Sequence, residues 1–173
     1  MICCYSAKLV GRGFDMKRMV LIGLAALMSA ASARAAEPAA SLLGSWALDV
    51  MHSEIPPEAR PQSVTITYSD VGGGKWNTKV AIVGGNGGKI NATGTYSLDG
   101  TPAPATGYPN IDTAAVKVPA PNVMVAAFYK EGMPRSTRTY IVSPDGKTMT
   151  ENIVWTNLNG KPEIATNLFN RVK

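Results

Sequence analysis

Cysteine is nearly missing from this 173-residue chain: its two copies, Cys3 and Cys4, sit side by side at the N-terminal end. Beyond them the chain can form no disulfide, offer no thiolate to a metal and use no cysteine nucleophile. Histidine is scarcer still, with His52 alone. Glu54 and Glu58 lie near it, but one imidazole and two carboxylates at i, i+2 and i+6 in a proline-rich loop match no compact metal or acid–base motif. His52 therefore reads as a loop-packing residue, and no metal and no cofactor is expected. The chain also lacks G-x-S-x-G, H-E-x-x-H, a P-loop and a dinucleotide fingerprint. Gly84-Gly85-Asn86-Gly87-Gly88 is rich in glycine, but no Lys-Ser/Thr and no helix follow it. It reads as a hairpin turn.

Long apolar runs are missing too. Residues 19–28 (Met-Val-Leu-Ile-Gly-Leu-Ala-Ala-Leu-Met) form the most apolar segment, short of the ~20 residues that span a bilayer. The basic Met16-Lys17-Arg18 precedes it, and Ala33-Arg34-Ala35 offers an A-x-A cleavage site ahead of Ala36-Glu37-Pro38. Together these read as a secretory signal peptide, with Met16 as the expected start of translation and residues 1–35 removed after export. Removal takes five of the 17 basic residues (Lys8, Arg12, Lys17, Arg18, Arg34) and one of the 12 acidic ones (Asp15), leaving 12 against 11. The formal charge of +5 thus falls to near balance without a Lys/Arg cluster, which excludes nucleic acid as an expected partner. Both cysteines leave with the same segment. The expected location is the bacterial periplasm or the medium, with no stable membrane insertion after cleavage.

Residues 36–42 read as an Ala/Pro spacer, and from residue 43 to 173 the pattern is one of short alternating runs broken by turns. Gly44-Ser45-Trp46-Ala47-Leu48-Asp49 opens it. A loop with Pro56, Pro57 and Pro61 follows, since proline cannot donate to a ladder. Val64, Ile66 and Tyr68 then share one face, and Trp76, Thr78, Val80 and Ile82 share the next. Ile90, Ala92, Gly94, Tyr96 and Leu98 continue the alternation. Residues 101–110, with Pro102, Pro104, Gly107 and Pro109, read as irregular. Strands resume at 113–118, 123–130, 135–143, 148–156 and 162–172, and Pro144-Asp145-Gly146-Lys147 is the sharpest turn signal. About nine strands joined by short turns predict an all-β domain. A meander of this length closes most naturally into a single antiparallel up-and-down barrel of 8–10 strands, because closure removes the sheet edges.

Gly44-x-Trp46 on a first strand before such a meander resembles the lipocalin and fatty-acid-binding-protein group of barrels. The resemblance implies that Trp46 closes one end, with Arg171 of the last strand packed across it as a cation on an aromatic face. More closely, residues 44–173 resemble a lipocalin-like (calycin-type) family of small exported bacterial barrels, most with no assigned function. The resembling segments are residues 44–49, Ser63-Val64-Thr65-Ile66-Thr67-Tyr68 and residues 142–150.

The candidate ligand-binding residues are Tyr68, Trp76, Tyr96, Arg138, Tyr140 and Trp155. Inward-facing aromatics would line a pocket with hydroxyl handles; the alternative is that they only fill the core or cover the outside. Arg138 shares a face with Tyr140 and could hold a carboxylate as fatty-acid-binding barrels do. The plainer reading pairs Arg138 with Glu151 on the surface, where it is worth little. Three functions remain open: a binding protein for a small hydrophobic or amphipathic molecule; a small isomerase, cyclase or lyase using Tyr, Arg and Glu as acid–base groups, with no catalytic residue assigned; and a filled structural barrel. The first is the leading expectation.

Overall fold

Ten antiparallel strands follow one another in chain order and close on themselves, β1 pairing with β10. They are β1 Gly44–Leu48, β2 Ser63–Asp70, β3 Lys75–Val83, β4 Lys89–Ser97, β5 Asp99–Thr106, β6 Thr113–Ala120, β7 Val123–Lys130, β8 Met133–Val142, β9 Thr148–Thr156 and β10 Pro162–Arg171. The computed structural model describes residues 41–172; the expected signal segment 1–35 and spacer residues 36–40 lie outside them. The only helical turns among the described residues are two short ones, Val50–His52 and Pro57–Ala59. No helix there is long and apolar enough to cross a membrane.

Alternation explains which side of each strand faces in. On β2, Ile66 and Tyr68 are buried, whereas Thr67 lies on the other face and its hydroxyl bonds Ser45 at 2.8 Å. The register carries the inner row onward: Ile66 lies opposite Val80, and Val80 opposite Ala92. Glycine turns join the strands where φ must be positive, as at Gly72, Gly87, Gly146 and Gly160.

One expectation is corrected. Residues 101–110, read as irregular, contain most of β5, and the strand count rises from about nine to ten. The prolines explain both facts. Ala105 donates its N–H to Asp112 on the β6 side, so by alternation the missing N–H groups of Pro102 and Pro104 point toward β4. The strand keeps its ladder to β6 but pairs with β4 only at Thr93–Thr106 and Gly94–Ala105. Proline is tolerated because it disables one edge of the strand and leaves the other intact.

The two ends differ. At the end holding β1, Leu42, Trp46, Val142 and Met149 are essentially inaccessible and fill the barrel. Trp46 lies opposite Arg171 in the ladder, and the Arg171 guanidinium stands 4.1 Å from the indole centroid. The indole N–H donates to Leu42 O at 2.8 Å. Arg171 donates to Ser41 O, Leu43 O and Gly146 O at 2.6, 2.8 and 2.6 Å, tying the incoming chain to the β8–β9 turn. Gly44 has φ +112°, and a Cβ there would stand 2.9 Å from an Arg171 nitrogen. The glycine of Gly-x-Trp thus makes room for the arginine that covers the tryptophan. At the other end β1 stops at Leu48, and residues 49–62 rise beside upper β10: Glu54 N–H donates to Thr166 O, and Glu54 Oε2 accepts from Thr166 N–H at 2.6 Å.

Candidate ligand cavity

Above the filled end the barrel is hollow. The cavity measures about 560 Å³, within the ~300–1,000 Å³ typical of small-molecule sites. Ile66, Val80, Ile82, Met124, Ala126 and Phe128 supply apolar wall, and Glu54, Ile55 and Pro56 from the β1–β2 connection also line it. The filled-barrel reading does not fit this interior.

Into this apolar wall the register inserts one polar row. Tyr140 of β8 lies opposite Glu151 of β9, which lies opposite Asn167 of β10. Arg138, two residues before Tyr140, falls on the same inner face. Its Nη1 donates to Glu151 Oε1 at 3.1 Å, and Asn167 Nδ2 donates to Glu151 Oε2 at 2.8 Å. Both Glu151 side-chain oxygens thus act as acceptors. Glu151 is 3% and Asn167 7% exposed, so the ion pair is internal. The expected surface pair is corrected: the partners are right and the face is the opposite one.

The row leaves two atoms unserved. Arg138 Nε and Asn167 Oδ1 are buried and have no hydrogen-bond partner. An unsatisfied buried donor or acceptor costs about 1–3 kcal/mol, so this arrangement is not there for stability alone. The Arg138 guanidinium also lies 5.1 Å from the Phe128 ring centroid, which restrains its plane.

Tyrosines surround the pair. Tyr68 meets Tyr140 edge-on with ring centroids 6.3 Å apart. Burial pushes both hydroxyls well above the ordinary tyrosine value, and the Glu151 charge adds to the effect. Tyr96 is pushed by burial up to about 12. Burial also raises Tyr108, against the opposing pull of Arg138. Burial works against the Arg138 charge, but Tyr140, Glu151 and Tyr108 outweigh it and hold the guanidinium above its ordinary value. The polar row thus pairs the Arg138 guanidinium with Glu151 among tyrosine hydroxyls that burial keeps un-ionised, while Glu54 and Arg135 also line the cavity.

Of the six candidate residues, Tyr68, Tyr96, Arg138, Tyr140 and Trp155 line the cavity. Trp76 does not. It sits opposite Asp70 next to the β2–β3 turn and packs on Tyr68 with centroids 6.5 Å apart, on the filled side. Tyr96 reaches its place because of a glycine: its ring folds back along β4 over Gly94, where any Cβ would collide with the phenol. His52 lies outside, its ring 2.9 Å from Asp49. That hydrogen bond holds the Asp49 carboxyl below its ordinary value.

Sequence reasoning missed Tyr108, Asn167 and Glu54 as cavity residues. Asn167 had a legible signal, since it interrupts an inner row whose next member is Phe169. Tyr108 had none, because it lies in a proline- and glycine-bounded loop without a period.

Comparison with known proteins bears on the fold. No family model and no curated protein matches the chain. Among solved structures, wild-type fluorescent protein UnaG is similar at a TM-score of 0.51 and 12% identity, over 76% of this chain and 97% of that one. A single-site UnaG variant gives 0.52 at the same identity and 96% of its chain. A fatty-acid-binding protein from Echinococcus granulosus gives 0.49 at 12% identity, covering 76% of this chain and 98% of its own. The fold is calycin-like. At these identities the UnaG likeness speaks for the barrel alone, and the cavity must be read from its own residues.

Proposed function

We propose that this barrel binds one small hydrophobic or amphipathic molecule in its interior, and that it does so outside the cytoplasm after loss of residues 1–35. The observation that carries the binding reading is the cavity: about 560 Å³ of mainly apolar wall with a charged, hydrogen-bonded row inside. An empty apolar space of that size costs stability through lost packing, whereas a ligand that fills it restores those contacts. Export rests on the n-region, the h-region and the A-x-A site.

Titration with an environment-sensitive fluorescent amphiphile tests the reading. The probe should brighten and quench Trp155, which lines the cavity, and a non-fluorescent amphiphile should displace it. A full lipid and aromatic panel without saturable binding overturns it.

The enzyme reading has one observation in its favour, since Glu151 is buried beside Arg138 and Tyr140 in one pocket. Two facts weigh against it. Both Glu151 oxygens are already occupied, and the raised tyrosines hold their protons too firmly to act as bases near neutrality.

A further inference from the structure

The polar row has a chemical preference written into its charges. Arg138 is the cation of the polar row, and its charge is already answered by Glu151 at 3.1 Å, whereas Arg135, which also lines the cavity, is exposed. A ligand carboxylate entering there would have to displace Glu151 from Arg138 or lie against a second carboxylate in a poorly screened interior. Among the fully buried atoms of the row, one donor, Arg138 Nε, and one acceptor, Asn167 Oδ1, have no partner. The Asn167 amide cannot swap these roles, because its Nδ2 must face the Glu151 carboxylate. The nearby Tyr68 and Tyr140 hydroxyls can each donate and accept.

Resting on the binding reading above, we infer that the cavity selects an amphiphile with an un-ionised head that both donates and accepts hydrogen bonds, such as a primary amide or an alcohol, and discriminates against carboxylates. The carboxylate anchor that Arg138 and Tyr140 suggest in sequence is thereby reversed. Glu151 is the specificity-determining residue. It neutralises Arg138 and, through Asn167, orients the free acceptor. The head lies at the polar row and the chain runs along Ile66, Val80, Met124 and Ala126.

A matched set tests this: dansyl-labelled undecanoic acid, its primary amide and its alcohol, each titrated at pH 7.4 by dansyl emission. Wild type should bind the amide and the alcohol at least about tenfold more tightly than the acid. Glu151→Gln keeps the side chain's shape and releases Arg138, so it should invert the order in favour of the acid. Acid binding equal to or tighter than amide in wild type overturns the inference and leaves the binding reading standing. An unchanged order in a Glu151→Gln protein with wild-type circular dichroism also overturns it. The wild-type ratio decides the matter if that variant does not fold. Failure of all three probes to bind sinks the binding reading and this inference with it.

Discussion

Arg138→Met removes the cation from a carboxylate that is 3% exposed. Glu151 would keep one hydrogen bond, from Asn167 Nδ2, and lose its only ion-pair partner among the described residues. Breaking a buried pair by deleting one member costs about 3–5 kcal/mol. Here the lower end applies, because the Arg138 side chain is 24% exposed and the cavity lets solvent approach. A loss of about 3 kcal/mol is a large share of the ~5–15 kcal/mol that holds a domain together. The double variant Arg138→Met/Glu151→Met removes both charges together with the unsatisfied Nε, and it should recover most of the loss or exceed wild type. Urea unfolding, followed by tryptophan emission and circular dichroism, gives both numbers. If the single variant loses less than about 1 kcal/mol, the pair is solvated and the account of an internal charged row is wrong. If the double variant is as unstable as the single, the cost comes from packing and not from the orphaned carboxylate.

Three further outcomes follow from the same geometry. Arg171→Ala should cost about 2–4 kcal/mol, because it removes a cation–π contact and three charge-assisted bonds to backbone carbonyls; Arg171→Lys should restore only a minor part, and thermal melts that show no loss for either would refute the closure. Gly94→Ala should displace the Tyr96 ring into the cavity, with probe affinity falling at least about tenfold while circular dichroism stays native; unchanged affinity would show that the ring does not border the bound ligand. The buried tyrosines make the fold sensitive to alkali. A raised folded-state value means that their contribution is complete below the unfolded value of ~10 and is lost as pH rises above it. For Tyr96, shifted to about 12, the loss is on the order of 2–3 kcal/mol. Spectrophotometric titration should show Tyr68, Tyr96 and Tyr140 ionising only as the protein unfolds, and their titration near pH 10 in a native protein would contradict the burial.

Alternation made the barrel readable, because each run of residues divides cleanly into two faces. It does not say which face is inner when both are mixed. On β8 the rows are Ser136, Arg138, Tyr140, Val142 and Arg135, Thr137, Thr139, Ile141, each with an apolar end and polar members. Ile141 turns out 40% exposed and Tyr140 only 3%, so the row containing the arginine is the inner one. β9 held the deciding signal. Its rows are Met149, Glu151, Ile153, Trp155 and Thr148, Thr150, Asn152, Val154, and the first is plainly the apolar one. A lone glutamate in that row must lie inside and needs a partner, which the β8–β9 register supplies. β5 stayed hidden for a different reason. Proline weakens a strand's signature even where only one of its two edges needs donors. The Trp46–Arg171 contact was legible from the family resemblance, whereas Gly44's part in it was not, since a positive φ leaves no mark beyond the glycine itself.

Occupancy of the interior is read most directly by native mass spectrometry of the protein recovered from cells that export it, set beside Ala126→Trp. Ala126 is 2% exposed, lines the cavity and lies opposite Arg138, so an indole there fills the space beside the polar row. The wild-type protein should carry one small amphiphile per chain, and a folded Ala126→Trp protein none. Bare protein in both samples, still bare after incubation with excess neutral amphiphile, would contradict an occupied interior.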